Sequence, residues 1–512
     1  MAAMADDDVA LDPHRGLDVA TGLDGRVSTT RVGRDVVTTA MNAVDPAAGN
    51  QITMVKNWRD DYIGPFRQLV SAGTTTSRAA YAIASAGLEE LHRNAVVVRD
   101  GEQIPALTAL ASADSPAFRS VTVQGDVARD PGLTIPMHGA RLFGPEVRRQ
   151  LDTWVAGGIV ERGFATALHS VLDNPDWLDL SDVTVVVLGA GAEMGPLRSL
   201  LRWGAHVIAV DLPRPDIWQR VIAVARNSSG RLSIPVPVDS TLPDTASPDH
   251  DDQLARVAGI NILAQLPELY SWLSDIEGPF TLGTYTYADG ATHLRLGLAT
   301  DVLAATLLEH RSDIGLAFLA TPTDVYAVSP TTVEESRRRW NARGLAGIAQ
   351  LPLRATGQFA PNYPSTISTD RGEIGIADCL VTIQGPNYAL AKRLQRWRAA
   401  VSRQNGVWAS LNVAPATRTR SVVKNRALAA AYAGAHRFGV EVFDPSTSNT
   451  VMAALLVHDL RSTTSLARPD AVVKHPDEPW AIQAAHAGLW TSAYAPRSVL
   501  GIAAAMGMLV RG

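Results

Sequence analysis

The sequence has little cysteine and no marked excess of charge of either sign. Cys379 is the single cysteine among 512 residues, which excludes an intramolecular disulfide and a metal site built from several thiolates. Such a chain suits a reducing compartment, and we expect a cytoplasmic protein. Lysine and arginine number 46 against 51 acidic residues, for a net charge of −5. Because nucleic-acid binding normally requires a basic patch, we predict no nucleic-acid partner.

Long apolar runs and paired metal ligands are also missing. The longest apolar run, residues 499–510, contains two glycines and is well short of the about 20 residues that cross a bilayer. We therefore predict a buried C-terminal helix and no membrane span. None of the 12 histidines stands in an H-x-x-x-H or H-E-x-x-H arrangement, so we predict no metal site.

The first third of the chain divides into two regions. Residues 1–45 are polar, rich in aspartate and aperiodic, which predicts a flexible N-terminal arm. Residues 46–178 are predicted to be mainly helical, with some short strands, because apolar residues recur at helical spacing. That spacing is found in residues 78–92, 148–160 and 164–172. Asn174 and Pro175 then end the pattern.

From residue 179 onward, short apolar runs alternate with helical segments. The predicted strands are 183–188, 206–210, 234–238, 280–285, 314–319, 379–383 and 407–413, with helices such as 301–310 and 388–401 between them. Continuously apolar, β-branched runs suit strands that are buried on both faces of a parallel sheet. The alternation predicts an α/β fold with a doubly wound parallel sheet over 179–440. Residues 441–512 are predicted to form a C-terminal helical segment that covers a pocket.

A glycine turn, Gly-Ala-Gly-Ala-Glu-Met-Gly over 189–195, follows the first of these strands and precedes a helix expected to run through Leu200. Gly189 and Gly191 allow a sharp turn and a close approach of backbone N–H groups to a pyrophosphate, and Gly195 allows close helix packing. The helix N-terminus adds a partial positive charge. The sequence therefore predicts a Rossmann-type sheet. The turn residues expected to hold a dinucleotide are Gly189, Gly191, Glu193, Met194 and Gly195.

Asp211 lies 20 residues after Gly191, at the end of the second predicted strand. A carboxylate there accepts hydrogen bonds from ribose hydroxyls and repels a 2′-phosphate, so NAD is slightly preferred over NADP. Arg214 and Arg220 lie close by and could reverse that preference. S-adenosylmethionine sites use the same strand, glycine loop, helix and acid, so this cofactor stays open as an alternative.

Tyr388 and Lys392 lie one helical turn apart on one face of a predicted helix. A phenol with a pKa near 10 is a poor acid–base group at neutral pH, and a neighbouring ammonium would lower that pKa. Tyr388 could then exchange a proton with a substrate oxygen while a hydride moves to or from a nicotinamide. Lys392 could also hold the nicotinamide ribose.

The order of these features along the chain resembles that of the short-chain dehydrogenases/reductases. Five features carry the resemblance: the glycine turn, Asp211, Asp239 at a strand end, the Tyr388/Lys392 pair and the turn 412–417. They cover about residues 180–425, under half of the chain. The resemblance implies that Asp239 contacts adenine and that Pro415 and Thr417 lie against the nicotinamide.

The chain departs from that family's pattern in three places. Its first glycine motif is Gly-x-Gly-x-x-x-Gly instead of Thr-Gly-x-x-x-Gly-x-Gly. The Asn-Asn-Ala-Gly segment expected after the fourth strand is absent, with residues 284–290 as the candidate in its place, and the serine expected before the tyrosine is not at its usual position. Thr382 and Gln384 lie near that position, and Ser329 would fill it if residues near 330–378 are an insertion. We take Gln384 as the third catalytic candidate beside Tyr388 and Lys392.

These patterns predict an NAD(P)-dependent oxidoreductase that interconverts a carbonyl and an alcohol on a sizeable small-molecule substrate. An S-adenosylmethionine-dependent methyltransferase and a non-catalytic dinucleotide-binding protein are the alternatives. The sequence leaves open whether the chain forms a homo-oligomer.

Overall fold

The computed structural model of the protein describes residues 15–112, 117–242 and 244–510. Its strands are β1 (Arg15–Val19), β2 (Ala95–Arg99), β3 (Glu102–Pro105), β4 (Phe118–Gln124), β5 (Thr134–Met137), β6 (Ala140–Phe143), β7 (Thr184–Leu188), β8 (His206–Val210), β9 (Arg231–Pro237), β10 (Phe280–Thr284), β11 (Ile314–Ala320), β12 (Val325–Val328), β13 (Ile367–Thr369), β14 (Gly372–Asp378) and β15 (Ala409–Val413).

Helices account for about half of the described residues. They are α1 (Thr29–Asn42), α2 (Pro46–Thr53), α3 (Trp58–Asp61), α4 (Ile63–Thr74), α5 (Ser77–Arg93), α6 (Ala106–Ala111), α7 (Pro145–Ala156), α8 (Arg162–Asp173), α9 (Leu197–Arg202), α10 (Pro215–Arg226), α11 (His250–Val257), α12 (Leu266–Ser274), α13 (Gly290–His310), α14 (Pro330–Asn341), α15 (Gly344–Ala349), α16 (Leu351–Arg354), α17 (Pro386–Gln404), α18 (Arg420–Lys424), α19 (Arg426–Gly434), α20 (Pro445–Arg461), α21 (Glu478–Ile482) and α22 (Pro496–Val510).

A seven-stranded sheet forms the centre of the fold, in the order β15-β11-β10-β7-β8-β9-β4. Its strands from β15 to β9 run parallel, and β4 pairs antiparallel with β9. The chain moves outward from β7 through β8 to β9, then returns to β10 on the other side of β7. The carboxyl ends of β7 and β10 are therefore neighbours whose following segments lead away in opposite directions.

Both faces of this sheet are covered. Val186 and Leu188 of β7 belong to one buried apolar cluster with α1, α4, α5, α13 and α17, whereas Val185 and Val187 belong to a second cluster with α8, α9, α10 and α20. Successive side chains of a strand point to opposite faces, and here both sets are buried. The predicted α/β class with a mostly parallel sheet is confirmed.

Most of the predicted strands are confirmed, with small shifts at their ends. They correspond to β7, β8, β9, β10, β11 and β15. The predicted strand at 379–383 is wrong, because residues 382–384 form a short 3₁₀ helix. The backbone N–H of Val381 donates to the Gln384 side chain and that of Gln384 donates to the Val381 carbonyl, which turns the chain before it can extend.

The flexible arm predicted for residues 1–45 is wrong over 15–45, while residues 1–14 lie outside the described part of the chain. β1 pairs antiparallel with β2, and the Ser28 hydroxyl caps α1 by accepting from the Arg31 N–H at 3.2 Å. Val32, Val36 and Met41 of α1 are buried. The polar composition of residues 1–45 led to the prediction of a flexible arm, although α1 has an apolar face. Burial of that face holds α1 in place.

The N-terminal region shares the sheet with the rest of the chain. Its predicted helices 78–92, 148–160 and 164–172 are confirmed as α5, α7 and α8. β4 of the same region extends the central sheet at the edge beyond β9. The N-terminal region and residues 179–440 therefore build one core.

The C-terminal region contains the predicted helical segments. α20 is buried along most of its length and packs beside β15 and α8. Its Met452, Ala453 and Leu456 line a small cavity with Met194 and Tyr285, and the predicted covering of a ligand pocket stays a prediction. α22 forms where a buried helix was predicted, but Met506, Met508 and Leu509 are exposed. Among the described helices, none has the length and apolar character needed to cross a membrane.

A small unit lies between β11 and α17. β12, β14 and β13 form an antiparallel sheet in that order, with α14 to α16 between β12 and β13. The insertion predicted near 330–378 falls within it.

A buried carboxylate ties α17 to this unit. Asp324 is 1% exposed and accepts from Arg393 at 2.9 Å and from Arg396 at 2.7 Å. Both guanidinium groups also donate to the Val325 carbonyl. One acid thus fixes the position of α17 against the end of β11.

Replacing Asp324 with asparagine should strongly destabilise the folded protein. Asp324→Asn leaves two buried guanidinium groups without a counter-charge, which should lower the free energy of unfolding by about 3–5 kcal/mol in urea denaturation. The matched control is Asp313→Asn, which breaks a pair with Arg311 on a more exposed surface and should cost less than about 1 kcal/mol. Equal losses in the two variants would contradict the anchoring role of Asp324.

Candidate functional site

The glycine turn lies at the carboxyl end of β7, against the segment that follows β10. Gly189 has a φ of +85°, and a Cβ atom there would lie 3.1 Å from the Thr286 backbone. A Cβ atom on Gly191 would lie 3.2 Å from the Asp211 carboxylate. Position 189 therefore requires glycine for its conformation, whereas a Cβ atom on Gly191 would require the Ile217 and Asp211 side chains to shift slightly.

Most backbone N–H groups of the turn are used within the protein. The donors with protein acceptors are Gly189, Ala190, Gly191, Ala192 and Gly195. Within the described chain, the N–H groups of Glu193 and Met194 have no hydrogen-bond partner. These two groups are the donors that the turn can offer to an anion.

The helix predicted after the turn is confirmed as α9, which starts at Leu197, after Pro196, and has six residues. Before it, the Gly195 N–H donates to the Ala192 carbonyl within the turn. The predicted contribution of the helix N-terminus to anion binding stays a prediction.

Asp211 joins the turn to the end of β8. Its carboxylate accepts from the Gly191 N–H at 2.7 Å and from the Leu212 N–H at 2.8 Å. Burial raises the pKa of Asp211, and these two N–H groups oppose that shift. Arg214 pairs with Asp216 at 3.2 Å, so it is engaged elsewhere.

Asp239 is exposed in the turn that follows β9. β9 is the next parallel strand beyond β8. Asp211 and Asp239 therefore lie along the same carboxyl edge of the sheet, where the sequence placed the adenosine half of a dinucleotide.

Tyr388 of α17 lies at this edge as well. Its ring stacks on His293 with centroids 4.9 Å apart and meets Tyr287 edge-on at 6.4 Å. The Thr321 side chain acts on the phenol and opposes the rise of its pKa that burial causes. Tyr287 follows β10 and Thr321 follows β11, and Thr286 packs against the glycine turn. The fold therefore places Tyr388 near the glycine turn, through the segment that follows β10.

The electrostatic role predicted for Lys392 is wrong in this structure. Its ammonium donates to the Leu319 carbonyl at 3.2 Å and to the Gln395 side chain at 3.4 Å. Burial lowers the pKa of Lys392 to about 8. Burial also raises the pKa of Tyr388 to about 12, with the Thr321 hydrogen bond opposing the shift and Asp324 adding to it. Tyr388 is therefore a protonated phenol at neutral pH.

The hydroxyl beside Tyr388 belongs to Thr321, which the sequence did not single out. Gln384 donates to the Thr323 hydroxyl at 2.9 Å, and that hydroxyl lies 2.8 Å from the hydroxyl of Thr321. Gln384 thus holds the turn that carries Thr321. The unit between β11 and α17 separates Thr321 from Tyr388 in the sequence, so their proximity was not predicted. The Thr-Pro-Thr segment that directly follows β11 was the sequence feature that could have pointed to Thr321.

His293 completes the polar group around Tyr388. It is 4% exposed in the first turn of α13, and its Nδ1 accepts from the Ala288 N–H at 3.2 Å. The proton of the neutral ring is therefore on Nε2, which has no partner among the described residues. Burial lowers the pKa of His293 to about 3, and Lys392 acts in the same direction.

Pro415 and Thr417 are buried in the turn that follows β15. The Thr417 hydroxyl donates to the Pro415 carbonyl at 2.8 Å and lies 2.6 Å from the Ser448 hydroxyl of α20. That hydroxyl is engaged inside the protein. The predicted contact of these residues with a nicotinamide stays a prediction.

A short segment crosses the edge between the glycine turn and Tyr388. The Arg420 N–H donates to the Glu193 carboxylate at 2.9 Å, and the Arg420 guanidinium lies 4.0 Å from that carboxylate. Burial raises the pKa of Tyr287 and the neighbouring Ser421 opposes that rise, while the Tyr287 phenol donates to Asp289 at 2.8 Å. Residues 420–421 therefore connect both parts of the site.

Little space lies beneath this region. A cavity of about 10 Å³ is lined by residues that include Met194, Tyr285, Leu319 and Asn412. That volume holds about one water molecule. A larger ligand in this cavity therefore requires the surrounding segments to move apart.

The polar groups at this edge are backbone N–H groups, a phenol, an imidazole and an ammonium, which donate, and a carboxylate, which accepts. Within the described ranges, no group of three His, Cys, Asp or Glu side chains is placed to hold a metal ion. The arrangement offers contacts to phosphate, ribose and carbonyl oxygens.

No protein-family model matches this chain, and no curated protein matches it. Function therefore has to be inferred from the geometry of the site.

The buried His293 should make the protein sensitive to acid. Its folded pKa of about 3 lies below the ordinary value of 6.5, so below pH 6.5 the unfolded chain gains a proton that the folded chain does not. Stability should fall as the pH drops from 6.5 towards 3, by up to about 1.4 kcal/mol per pH unit from this group.

His293→Gln should weaken this loss, measured by urea denaturation between pH 7 and pH 5. The control is His436→Gln, which changes an exposed histidine and should leave the loss of stability between pH 7 and pH 5 unchanged. An equal loss of stability in His293→Gln and in the unmodified chain would contradict the lowered pKa of His293.

Proposed function

We propose that the protein binds NAD or NADP at the carboxyl edge of its central sheet and uses it to interconvert a carbonyl and an alcohol. One observation carries the proposal: the strand order reverses at β7, beside the glycine turn and the Tyr388 group, by which we mean Tyr388 with Tyr287, His293 and Thr321. Numbered along the chain, the parallel strands follow the order 3-2-1-4-5-6. This is the order of Rossmann sheets, which bind dinucleotides at the reversal point.

The residues present at the edge fit a dinucleotide. The free N–H groups of Glu193 and Met194 suit a pyrophosphate, and the Asp211 carboxylate suits the adenosine ribose. A side chain at position 191 would press against the side chains of Ile217 and Asp211. Asp239 would contact the adenine and Lys392 the nicotinamide ribose, as the resemblance to the short-chain dehydrogenases/reductases implies.

NAD is preferred over NADP in this proposal. A 2′-phosphate would stand against the Asp211 carboxylate, and Arg214 is already paired with Asp216. Arg220, whose charge acts on Asp211, is the nearby cation that could still favour NADP.

The chemistry proposed for Tyr388 is proton donation during carbonyl reduction, because the raised pKa of the phenol disfavours the phenolate that alcohol oxidation would need. A nicotinamide, when bound in its reduced form, supplies a hydride. The protonated Tyr388 phenol donates its proton to the substrate oxygen as the carbonyl becomes an alcohol. Thr321, which opposes the rise in the pKa of the phenol, supplies the hydroxyl that the resemblance places before the tyrosine. The free Nε2–H of His293 adds a neutral donor beside it.

Cofactor binding can be tested by thermal unfolding of the full chain with NADH, NADPH or S-adenosylmethionine. A ligand at 100 times its Kd stabilises the folded state by about 2.7 kcal/mol. We expect the melting temperature to rise with NADH, to rise less with NADPH and to stay unchanged with S-adenosylmethionine. Asp211→Asn should abolish the NADH shift, whereas Asp216→Asn, at an exposed neighbouring acid, should keep it. A shift with S-adenosylmethionine alone, or with none of the three, would overturn the proposal.

The role of Tyr388 can be separated from cofactor binding. Tyr388→Phe should lower the turnover of carbonyl substrates by about 10²–10⁴-fold, because the proton donor is lost, and should keep the NADH thermal shift. Turnover is followed by the loss of reduced-nicotinamide absorbance over a panel of aldehydes and ketones. Tyr270→Phe is the control, since this tyrosine contacts His310 outside the site. Undiminished turnover in Tyr388→Phe would remove Tyr388 from its role.

A further inference from the structure

Residues 337–354, which run from the end of α14 through α16, form a surface with four exposed apolar side chains. These are Leu345 at 84%, Ile348 at 63%, Leu351 at 53% and Leu353 at 48% exposure. Neither α15 nor α16 buries any side chain. A single exposed apolar residue is ordinary, but a contiguous group of them marks an interaction surface.

The same surface is strongly basic. It carries Arg337, Arg338, Arg339, Arg343 and Arg354, and the sequence has no acidic residue between Glu335 and Asp370. This excess of arginine stands out because the whole chain has a net charge of −5. The partner of this surface must therefore be anionic as well as apolar.

The arginines are held in different ways. Arg338 and Arg339 both pair with Glu335 at 2.7 Å, which neutralises part of their charge. Arg343 and Arg354 lie over the Trp340 ring, 3.2 Å and 4.9 Å from its centroid. Stacking fixes these two guanidinium groups without neutralising them. Net positive charge thus remains beside the exposed apolar side chains.

We propose that the 337–354 surface docks on bilayers that contain anionic phospholipids. A bilayer interface accepts separate apolar side chains without a complementary groove, and anionic headgroups attract nearby basic residues. Guanidinium groups are suited to phosphate because they donate in a bidentate fork. Because α15 and α16 bury nothing, their apolar side chains protrude, as insertion into a headgroup layer requires.

This proposal does not depend on the proposed oxidoreductase function. The 337–354 surface shares no residue with the glycine turn or the Tyr388 group. Variants of this surface should therefore keep the NADH thermal shift, so that failure of one proposal can be told from failure of the other.

The test is co-sedimentation of the full chain with vesicles of phosphatidylcholine alone or mixed with phosphatidylserine. We expect about ten-fold or more tighter binding to the anionic vesicles, weakened by salt. Leu345→Ser with Ile348→Ser, and separately Arg337→Gln with Arg354→Gln, should each lower that binding by about ten-fold. The matched control is Leu23→Ser with Val472→Ser, two apolar side chains that are 112% and 96% exposed elsewhere, and it should bind like the unmodified chain.

Several results would overturn the proposal. They are equal binding to both vesicle types, no binding to either, and undiminished binding of the two surface variants. Light scattering adds a further check. If Leu345→Ser with Ile348→Ser converts an oligomer into a monomer, the surface binds a second copy of the chain, and the lipid assignment is wrong.

Discussion

The reversal of strand order at β7 is the constraint on which the site depends. Six parallel strands buried on both faces leave one polar edge, formed by the segments after their carboxyl ends. The reversal sends the connections that follow β7 and β10 in opposite directions. The glycine turn packs directly against the segment 285–287, and a cavity of about 10 Å³ lies beneath them. Every residue proposed to act on a cofactor or substrate lies along this edge.

Buried ion pairs hold the helix that carries the chemistry. α17 is fixed to the end of β11 by Asp324 with Arg393 and Arg396, and Arg398 reaches the buried Asp301 of α13. Such pairs contribute less to stability than to position, since their desolvation offsets much of their attraction. They orient α17 so that Tyr388 meets Thr321 and His293 in a poorly solvated setting. That setting keeps the phenol protonated and the imidazole neutral.

The sequence predicted the parts of the fold that depend on local pattern. β7, β8, β10, β11 and β15 were readable because strands buried on both faces are continuously apolar. α1 was missed because its apolar face is diluted by threonine and arginine. Thr321 was missed because its contact with Tyr388 spans a whole inserted unit. The protonation of Tyr388 could not be read from its spacing to Lys392, because it is set mainly by burial, which raises the pKa of the phenol.

Hydrogen–deuterium exchange of the full chain with and without NADH tests the central claim most directly. Glu193 and Met194 have the free N–H groups of the glycine turn, so peptides over 189–195 should exchange more slowly when NADH is present. Peptides over 344–354, on the 337–354 surface, should exchange at the same rate in both conditions. Unchanged exchange over 189–195 under conditions where NADH binds would contradict the placement of the dinucleotide at this edge.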